Sequence, residues 1–407
     1  FGVDPKIIGG TSIVTAHIGL PLKKEVMMDD VSFNGKAIVA DLTWPQLVGD
    51  ISAADGNLIV DVTRDGLEAN GTLALNGVQA DLSWTEIFES KGKPSSRIKL
   101  RTTVDDAGRE ALGLSLEDFM EGPATVHADM IGKGPNLISA MLSVDFSETI
   151  LKQEVIGWKK PAGIFALGTM NVDFSDPTKF SFTDFQIKGP TTHIEGHFVV
   201  DERGEALETI LPIVRLGSET DISMSAIKQA DGALHITANG SKFDARGLAD
   251  TVLRGEEIEP PLPMADELAT PIDVMVIDAT FASALLNGGL RVSDVTVTSK
   301  LVEGAPHQLA IRGRLNAKIP ITMDITPLTN DRRGLNVMTD DAGLLLTGLD
   351  VYTSIQGGKM RVQGIFDDTQ PGGPLMGNLR IDNFRVVDAP VLASLLTVGS
   401  FTGIGDT

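Results

Sequence analysis

The alternation of apolar and polar residues with a period of two is the feature that most constrains how this 407-residue chain can fold. In the stretch IPITMDI, every second residue from Ile319 to Ile325 has a large apolar side chain. Neighbouring side chains of an extended strand point to opposite faces, so this pattern is typical of a strand with one buried face. The residues that we predict on the buried face are Val126, Ala128, Met130, Leu142, Val144, Phe146, Ile222, Met224, Leu309, Ile311, Ile319, Ile321, Met323 and Ile325.

Turn dipeptides separate the predicted strands. Asn-Gly or Asp-Gly pairs, which favour tight hairpin turns, begin at Asn34, Asp55, Asp65, Asn70, Asn76, Asp231, Asn239 and Asn287. They predict a mainly β fold, a long and twisted antiparallel meander of roughly twenty strands with a few short helices. At about 4.8 Å between strands, such a sheet is roughly 100 Å long. Because sheets twist, we expect it to curl into a groove with the apolar face inside, either open or closed.

Few segments have a helical pattern. We expect an inserted helix near residues 105–122, which begin with a capping Asp and end on Gly, and further helices at 244–255 and 388–399. The octapeptide SWTEIFES, residues 83–90, is another short candidate. Residues 255–271 are acidic and contain four prolines, which excludes a strand interior. We therefore divide the chain into a β-groove region at 1–254, a crossover at 255–271 and a second, truncated β region at 272–407.

Composition argues against several classes of function. A net charge of −21 and only 5% aromatic residues disfavour a nucleic-acid surface, which needs cations for phosphates and rings for bases. The chain has no cysteine, which removes disulfides, thiolate catalysis and cysteine-based zinc sites. It also lacks a run of about 18 apolar residues that could span a bilayer. Because it begins with Phe1 and has no signal peptide, we expect a piece of a longer protein.

The hexapeptide THIEGH is the best candidate for a chemical site. His193, Glu195 and His197 would project from one face of a strand, at a spacing that could hold a divalent metal ion. The same pattern fits an exposed polar strand face near a hairpin, and we favour this second interpretation because no third histidine lies nearby in sequence. Four Asp-Asp pairs fit turns and helix caps better than acid–base catalysis. We predict no catalytic residue, no metal site and no cofactor, and therefore a protein that is not an enzyme.

Several segments resemble one known family, in the expected order along the chain. The stretch GNLRIDNFRVVDAPVLASLLTVGSFTGIGDT, residues 377–407, is similar to the C-terminal signature of the AsmA-like proteins of Gram-negative bacteria. DDAGREALGL, GPATVHADM, VIGWKKPAG, VRLGSETD and DGALHITANGSKFDARGL resemble the domain of unknown function that precedes this module. Long relatives in this family are called bridge-like lipid-transfer or repeating β-groove proteins.

The resemblance implies a periplasmic body that is anchored in the inner membrane by an N-terminal helix absent from this chain. It also implies that the groove binds phospholipid acyl chains and conducts phospholipid between the inner and outer membranes. The aliphatic side chains predicted on the buried face suit acyl chains better than a polar substrate. The alternative is a structural or assembly scaffold for outer-membrane biogenesis that contacts envelope proteins and conducts no lipid.

Overall fold

The computed structural model describes residues 8–25, 27, 31–48, 50–90, 92–114, 116–134, 136–254, 273–329, 331–370 and 373–387. These residues are mainly β, as the alternation predicts. The strands are β1 (Gly9–Gly19), β2 (Ser32–Val48), β3 (Ile51–Thr63), β4 (Gly66–Leu75), β5 (Val78–Ile87), β6 (Ser96–Val104), β7 (Met120–Glu121), β8 (Ala124–Lys133), β9 (Asn136–Asp145), β10 (Ile150–Gln153), β11 (Trp158–Lys160), β12 (Leu167–Asp173), β13 (Lys179–Gly189), β14 (Thr192–Asp201), β15 (Ala206–Leu216), β16 (Thr220–Lys228), β17 (Leu234–Asp244), β18 (Val274–Leu285), β19 (Arg291–Val302), β20 (Ala305–Leu315), β21 (Ile319–Pro327), β22 (Arg332–Thr339), β23 (Ile355–Asp367) and β24 (Leu375–Val386). The helices are α1 (Asp106–Ala111), α2 (Arg246–Arg254) and α3 (Ala342–Gly348), and two 3₁₀ turns lie at Glu154–Ile156 and Asn287–Gly289.

Twenty-one of these strands form one continuous sheet, and β7, β10 and β11 form a small second sheet. The large sheet follows the chain order from β1 to β24, with each strand paired to the next one that belongs to it. The pairs are antiparallel except for β17 and β18, which run parallel. This parallel pair joins the two predicted β regions in one sheet, and the predicted crossover at 255–271 lies outside the described residues.

The sheet is curled but not closed into a barrel, which answers the question that the alternation left open. Bulges explain part of the bending. Asp41, Asp55, Asp184 and Asp294 lie inside strands with positive φ angles of 51–54°. At each of them the strand register shifts against a neighbour. An extra residue in one strand of a pair bends that strand and increases its twist.

The two long edges of the large sheet, where the strands end, differ in what they carry. We call one the capped rim, because α1, α2, α3, both 3₁₀ turns and the small sheet all lie in connections at this edge. We call the other the hairpin rim, formed by connections such as 64–65, 202–205 and 303–304. None of the described residues that connect strands at the hairpin rim is helical. The described helices and the strands of the small sheet therefore all lie at the capped rim.

Helix α1 is shorter than the sequence predicts. It begins after Asp105, whose side chain accepts a hydrogen bond from the backbone of Gly108 at 2.9 Å, and it ends at Ala111 rather than near residue 122. Gly113 follows with a φ angle of 74°, a left-handed conformation that favours glycine and stops the helix. Helix α2 confirms the helix predicted at 244–255. The helix predicted at 388–399 lies outside the described residues.

The helix predicted for SWTEIFES is wrong. Residues 83–87 belong to β5, whose Trp84 pairs with Ala69 on one side and with Ile98 on the other. Pairing on both sides satisfies the backbone of the segment, which overrides a weak local preference for helix. Helix α3, in contrast, was missed, although Asp341 caps it by accepting a hydrogen bond from the backbone of Leu344 at 3.0 Å.

Half of the predicted hairpin turns are not turns. Asn76, Asp65, Asp231 and Asn287 do lie in turns or connections, but Asn34, Asn70, Asn239 and Asp55 lie inside strands. The glycines after Asn70 and Asn239 serve close packing instead. A Cβ atom on Gly240, for example, would lie 2.4 Å from the carbonyl oxygen of Asp221 on the neighbouring strand.

Candidate functional site

One face of the large sheet is apolar from strand to strand, and we call it the apolar face. Residues that pair directly between neighbouring strands point to the same side of the sheet, so the pairing shows which residues belong to the apolar face. Val126 pairs with Val144, and a row of partners then leads to Ile222 through Gly168, Ile187, Ile194 and Val214. The row therefore stays on one face across seven neighbouring strands.

The structure places the predicted lining residues on this one face. Ala128 pairs with Leu142, and Met224 pairs with Leu211 two positions along from Ile222. Further along the sheet, β20 and β21 pair Leu309 with Ile325 and Ile311 with Met323, while Ile321 and Ile319 pair with Gly313 and Leu315. Phe146 lies just beyond the end of β9 and is buried in a core with Val144.

Sequence reasoning missed other residues of the apolar face. These are Val60, Leu82, Trp84, Ile98, Leu100, Met170, Phe182, Phe198, Leu335 and Val362. The signal that could have found several of them is the same alternation, which is visible in VQADLSW and SRIKLRTTV.

Two apolar cores cover the apolar face next to the capped rim. In the larger core, Leu345 and Ala342 of α3 pack with Leu315, Ile355 and Met360 of the sheet. The smaller core joins Met120 and Leu151 of the small sheet to Ala124, Val144 and Phe146. Trp158 packs against both cores and connects them. The remaining part of the face, towards the hairpin rim, carries no described helix.

The apolar face is sheltered even where no described element covers it. Its side chains from β3 to β23, such as Leu82, Leu100, Met170 and Val362, are buried or half-buried. On the edge strand β1, by contrast, Val14 and Ile18 are 65% and 64% exposed. A curled sheet brings the side chains of its inner face close together. A concave apolar surface therefore explains why these side chains are less exposed in the central strands than on β1.

Aromatic rings occupy the apolar face at the middle of the sheet. Phe182 of β13 and Phe198 of β14 are direct partners, and their rings stack with centroids 4.3 Å apart. Phe185 meets the ring of Phe198 edge-on at 5.5 Å. These rings are half-buried. At these strands, aromatic side chains replace the aliphatic ones that line the apolar face elsewhere.

The opposite face is polar, and ion pairs between neighbouring strands hold it. Arg97 binds Asp129 at 3.0 Å, and Arg215 binds Asp221 at 3.1 Å. Opposite charges across a strand pair add modest stability, and these charged side chains make the face polar where it contacts solvent. In the central strands the polar face therefore differs in chemistry from the apolar one, whereas in β1–β3 it carries the exposed apolar row Ile13, Ile38 and Ile59.

The THIEGH residues lie on this polar face. The ring of His193 is 2.8 Å from a carboxylate oxygen of Glu195, which Lys188 also binds at 2.9 Å, while His197 lies 3.4 Å from Glu208. Hydrogen bonds from His193 and Lys188 hold the pKa of Glu195 below its usual value. Each histidine is thus paired with a different carboxylate, and no metal-binding group of three His, Cys, Asp or Glu residues occurs in the described ranges.

A buried lysine lies in the small sheet. Lys160 is 1% exposed, and its ammonium donates hydrogen bonds to the carbonyl oxygens of Pro161 and Ile164 at 3.1 and 2.7 Å. Burial lowers its pKa. Both hydrogen bonds go to the loop that follows β11, so the side chain holds this loop against the sheet.

No protein-family model, curated protein or solved structure matches this chain. Within the described ranges, none of the helices has the length and hydrophobicity that a bilayer-spanning helix requires. The apolar face is therefore the feature from which a function has to be inferred.

Proposed function

We propose that this chain is a segment of a hydrophobic groove that binds acyl chains and conducts phospholipid between two membranes. The observation that carries the proposal is the unbroken apolar face, which continues across neighbouring strands from β3 to β23. The resemblance to AsmA-like proteins agrees with it. On that resemblance, the segment works in the periplasm between the inner and outer membranes, is anchored in the inner membrane and contacts envelope proteins.

The length of the apolar face favours conduction over storage of a single ligand. The eighteen strands of the large sheet from β3 to β23, at about 4.8 Å spacing, extend over roughly 80 Å, measured along the curled sheet. The acyl chains of one bilayer leaflet span about 15 Å, half of a hydrocarbon core of about 30 Å. Several lipids therefore fit side by side along the groove.

The chemistry of the lining favours movement along the groove. Each buried methylene group of an acyl chain contributes about 0.8 kcal/mol wherever it meets an apolar surface. A lining of Leu, Ile, Val, Met and Phe offers similar contacts at successive strands, so a lipid that shifts by one strand loses one set of contacts and gains another. Such a track needs no cofactor.

Lipid extraction and charge substitution together test this function. We expect native mass spectrometry of the purified protein to detect bound phospholipid. Leu142→Asp should abolish binding and transfer between vesicles, because it places a carboxylate on the apolar face. Met141→Asp is the matched control: Met141 is the next residue, lies on the polar face and is 62% exposed, so this variant should keep both activities.

Two results would contradict the proposal. One is a purified protein without bound lipid that also fails to take lipid from vesicles. The other is normal transfer by a folded Leu142→Asp variant, with folding checked by circular dichroism. If transfer is normal and the protein binds outer-membrane assembly factors, the scaffold alternative is favoured.

A further inference from the structure

Three cations lie in a row along β6 on the polar face. In SRIKLRTTV, Arg97, Lys99 and Arg101 alternate with residues of the apolar face, so all three side chains point to the polar side. Like charges this close repel each other unless anions lie beside them. The partners of these three side chains therefore show whether the row is neutralised within the protein.

Only Arg97 is neutralised by a residue that the structure describes. Its guanidinium binds both carboxylate oxygens of Asp129, at 3.0 and 3.2 Å. The side chains of Lys99 and Arg101 form neither an ion pair nor a hydrogen bond with any described residue. On β15 of the same face, by contrast, Arg215 is paired with an aspartate. Lys99 and Arg101 are therefore free to bind an anion from solution, although the chain as a whole has a net charge of −21.

Both of these cations line an open cleft of about 410 Å³ on the polar face. Its walls are formed by two neighbouring rows of paired residues, which cross β5, β6, β8 and β9. One row is Ser83, Lys99, Asp129 and Met141, and the other is Asp81, Arg101, His127 and Ser143. Small-molecule sites in proteins have volumes of about 300–1,000 Å³, so the cleft is large enough for a ligand of more than a few atoms.

The hydrogen-bond donors of the cleft suit a phosphate group. The ammonium of Lys99 and the guanidinium of Arg101 supply positive charge, and the serine hydroxyls and the histidine ring can donate further hydrogen bonds. A phosphate monoester has a charge of about −1.5 to −2 at neutral pH and three strong acceptor oxygens. One such group can neutralise both free cations, whereas one carboxylate can neutralise only one of them.

A second cavity, of about 380 Å³, continues the cleft towards the capped rim and shares Asp81 and Arg101 with the first. The side chains of Thr72, Gln79 and Thr103 line it on the polar face. Hydroxyl and amide groups both donate and accept hydrogen bonds, which is what the hydroxyl groups of a sugar require. The second cavity therefore favours a hydroxylated organic group beside the phosphate.

We propose that the cleft binds a soluble phosphate monoester with a hydroxylated organic part, of which a sugar phosphate is the simplest example. The phosphate lies between Lys99 and Arg101, and the organic part extends along the second cavity. Asp81 borders both cavities and has no ion pair with a described residue, so its carboxylate accepts a hydrogen bond from a hydroxyl group of the ligand. The cleft lies on the face opposite the groove, so this inference does not depend on the proposed function.

Calorimetric titration of the parent chain with glucose 6-phosphate, glucose and inorganic phosphate tests the site. We expect glucose 6-phosphate to bind at least about tenfold more tightly than either of the other two, because only the ester fills both cavities. Its affinity should fall as the salt concentration rises, since exposed charges are screened. Asp81→Asn should reduce the preference for glucose 6-phosphate over inorganic phosphate, because it removes the carboxylate that repels the bare anion.

Charge substitutions locate the binding. Lys99→Gln and Arg101→Gln should each weaken the binding of glucose 6-phosphate roughly tenfold or more, because each removes a hydrogen bond between charged groups. Arg215→Gln is the matched control: it removes one exposed cation from the same face, outside the cleft, and should leave the affinity unchanged. Circular dichroism of each variant shows whether it is folded like the parent chain.

Three results would overturn the proposal. The first is a parent chain that binds neither glucose 6-phosphate nor inorganic phosphate at millimolar concentration. The second is an equal loss of affinity in Lys99→Gln, Arg101→Gln and Arg215→Gln, which would mean that only net charge matters. The third is binding to vesicles that contain phosphatidic acid without binding to the soluble ester, which would assign the cations to a lipid surface.

Discussion

Adding one methyl group to Gly240 tests whether the apolar face is as crowded as a tightly curled sheet requires. Gly240 lies on this face in β17 and pairs with Ile222 of β16. A Cβ atom at this position would lie 2.4 Å from the carbonyl oxygen of Asp221, 2.5 Å from the side-chain Cγ2 of Ile222 and 2.8 Å from its Cα. Two of these three atoms belong to the backbone of a paired strand and cannot move aside cheaply.

The expected cost of Gly240→Ala follows from these contacts. Overpacking by a single methyl group in a well-packed site costs about 1–3 kcal/mol. Gly334→Ala is the matched control on the polar face, where the new Cβ meets nothing closer than 3.5 Å. This second variant should stabilise the chain by about 0.4–1 kcal/mol, because alanine restricts the unfolded chain more than glycine does. The two substitutions should therefore change the free energy of unfolding in opposite directions.

Amide hydrogen exchange measures the effect where it occurs. At about 1.4 kcal/mol per tenfold change, Gly240→Ala should speed exchange in β16 and β17 by roughly 5- to 150-fold. Gly334→Ala should leave exchange in β21–β23 unchanged or slow it. Unchanged exchange in Gly240→Ala, or a larger loss of protection in Gly334→Ala, would refute the view that the apolar face is the crowded inner one.

Three further predictions concern the polar face, α3 and the aromatic rings. The depressed pKa of Glu195 stabilises the fold above the ordinary value of 4.5, and this stability is lost as the pH falls through the lower folded pKa. The melting temperature of the parent should thus fall more steeply with acid than that of Glu195→Gln, and equal slopes would contradict this. Asp341→Ala removes the N-cap of α3 and should lower the stability of this helix by about 1 kcal/mol, which would appear as faster amide hydrogen exchange in α3 alone. Equally faster exchange throughout the sheet would argue against a local effect. Phe198→Leu keeps apolar bulk but loses the stacking with Phe182, so we expect a loss of about 0.5–1.5 kcal/mol in chemical denaturation, whereas no loss would mean that the rings contribute only apolar area.

Local signals in the sequence account for much of the architecture. The alternation in IPITMDI and in similar stretches predicts strands with one buried face, because side chains on a strand alternate by geometry alone. Asp105 marks the start of α1 for a similar reason, since a capping carboxylate acts within one turn of its own position. These features depend on neighbours a few residues away in the chain.

Pairing between distant strands explains where local reading failed. SWTEIFES has no local feature that requires a strand, and its state follows from partners in β4 and β6. Asn239 and Gly240 have the sequence of a hairpin turn, yet they lie within β17 because the backbone of β16 approaches closely there. Such contacts depend on register, which sequence spacing does not specify.

Local alternation in the sequence is enough to predict that this chain forms many one-sided strands, that an apolar face exists and which residues of the most regular strands belong to it. The tertiary structure was needed to show that these strands join one open sheet, and that the described helices and the small sheet lie at the same rim. Alternation depends on the backbone of each strand, whereas the side to which a connection folds depends on which strands are already neighbours. The rim at which the described helices lie is therefore a property of the assembled sheet.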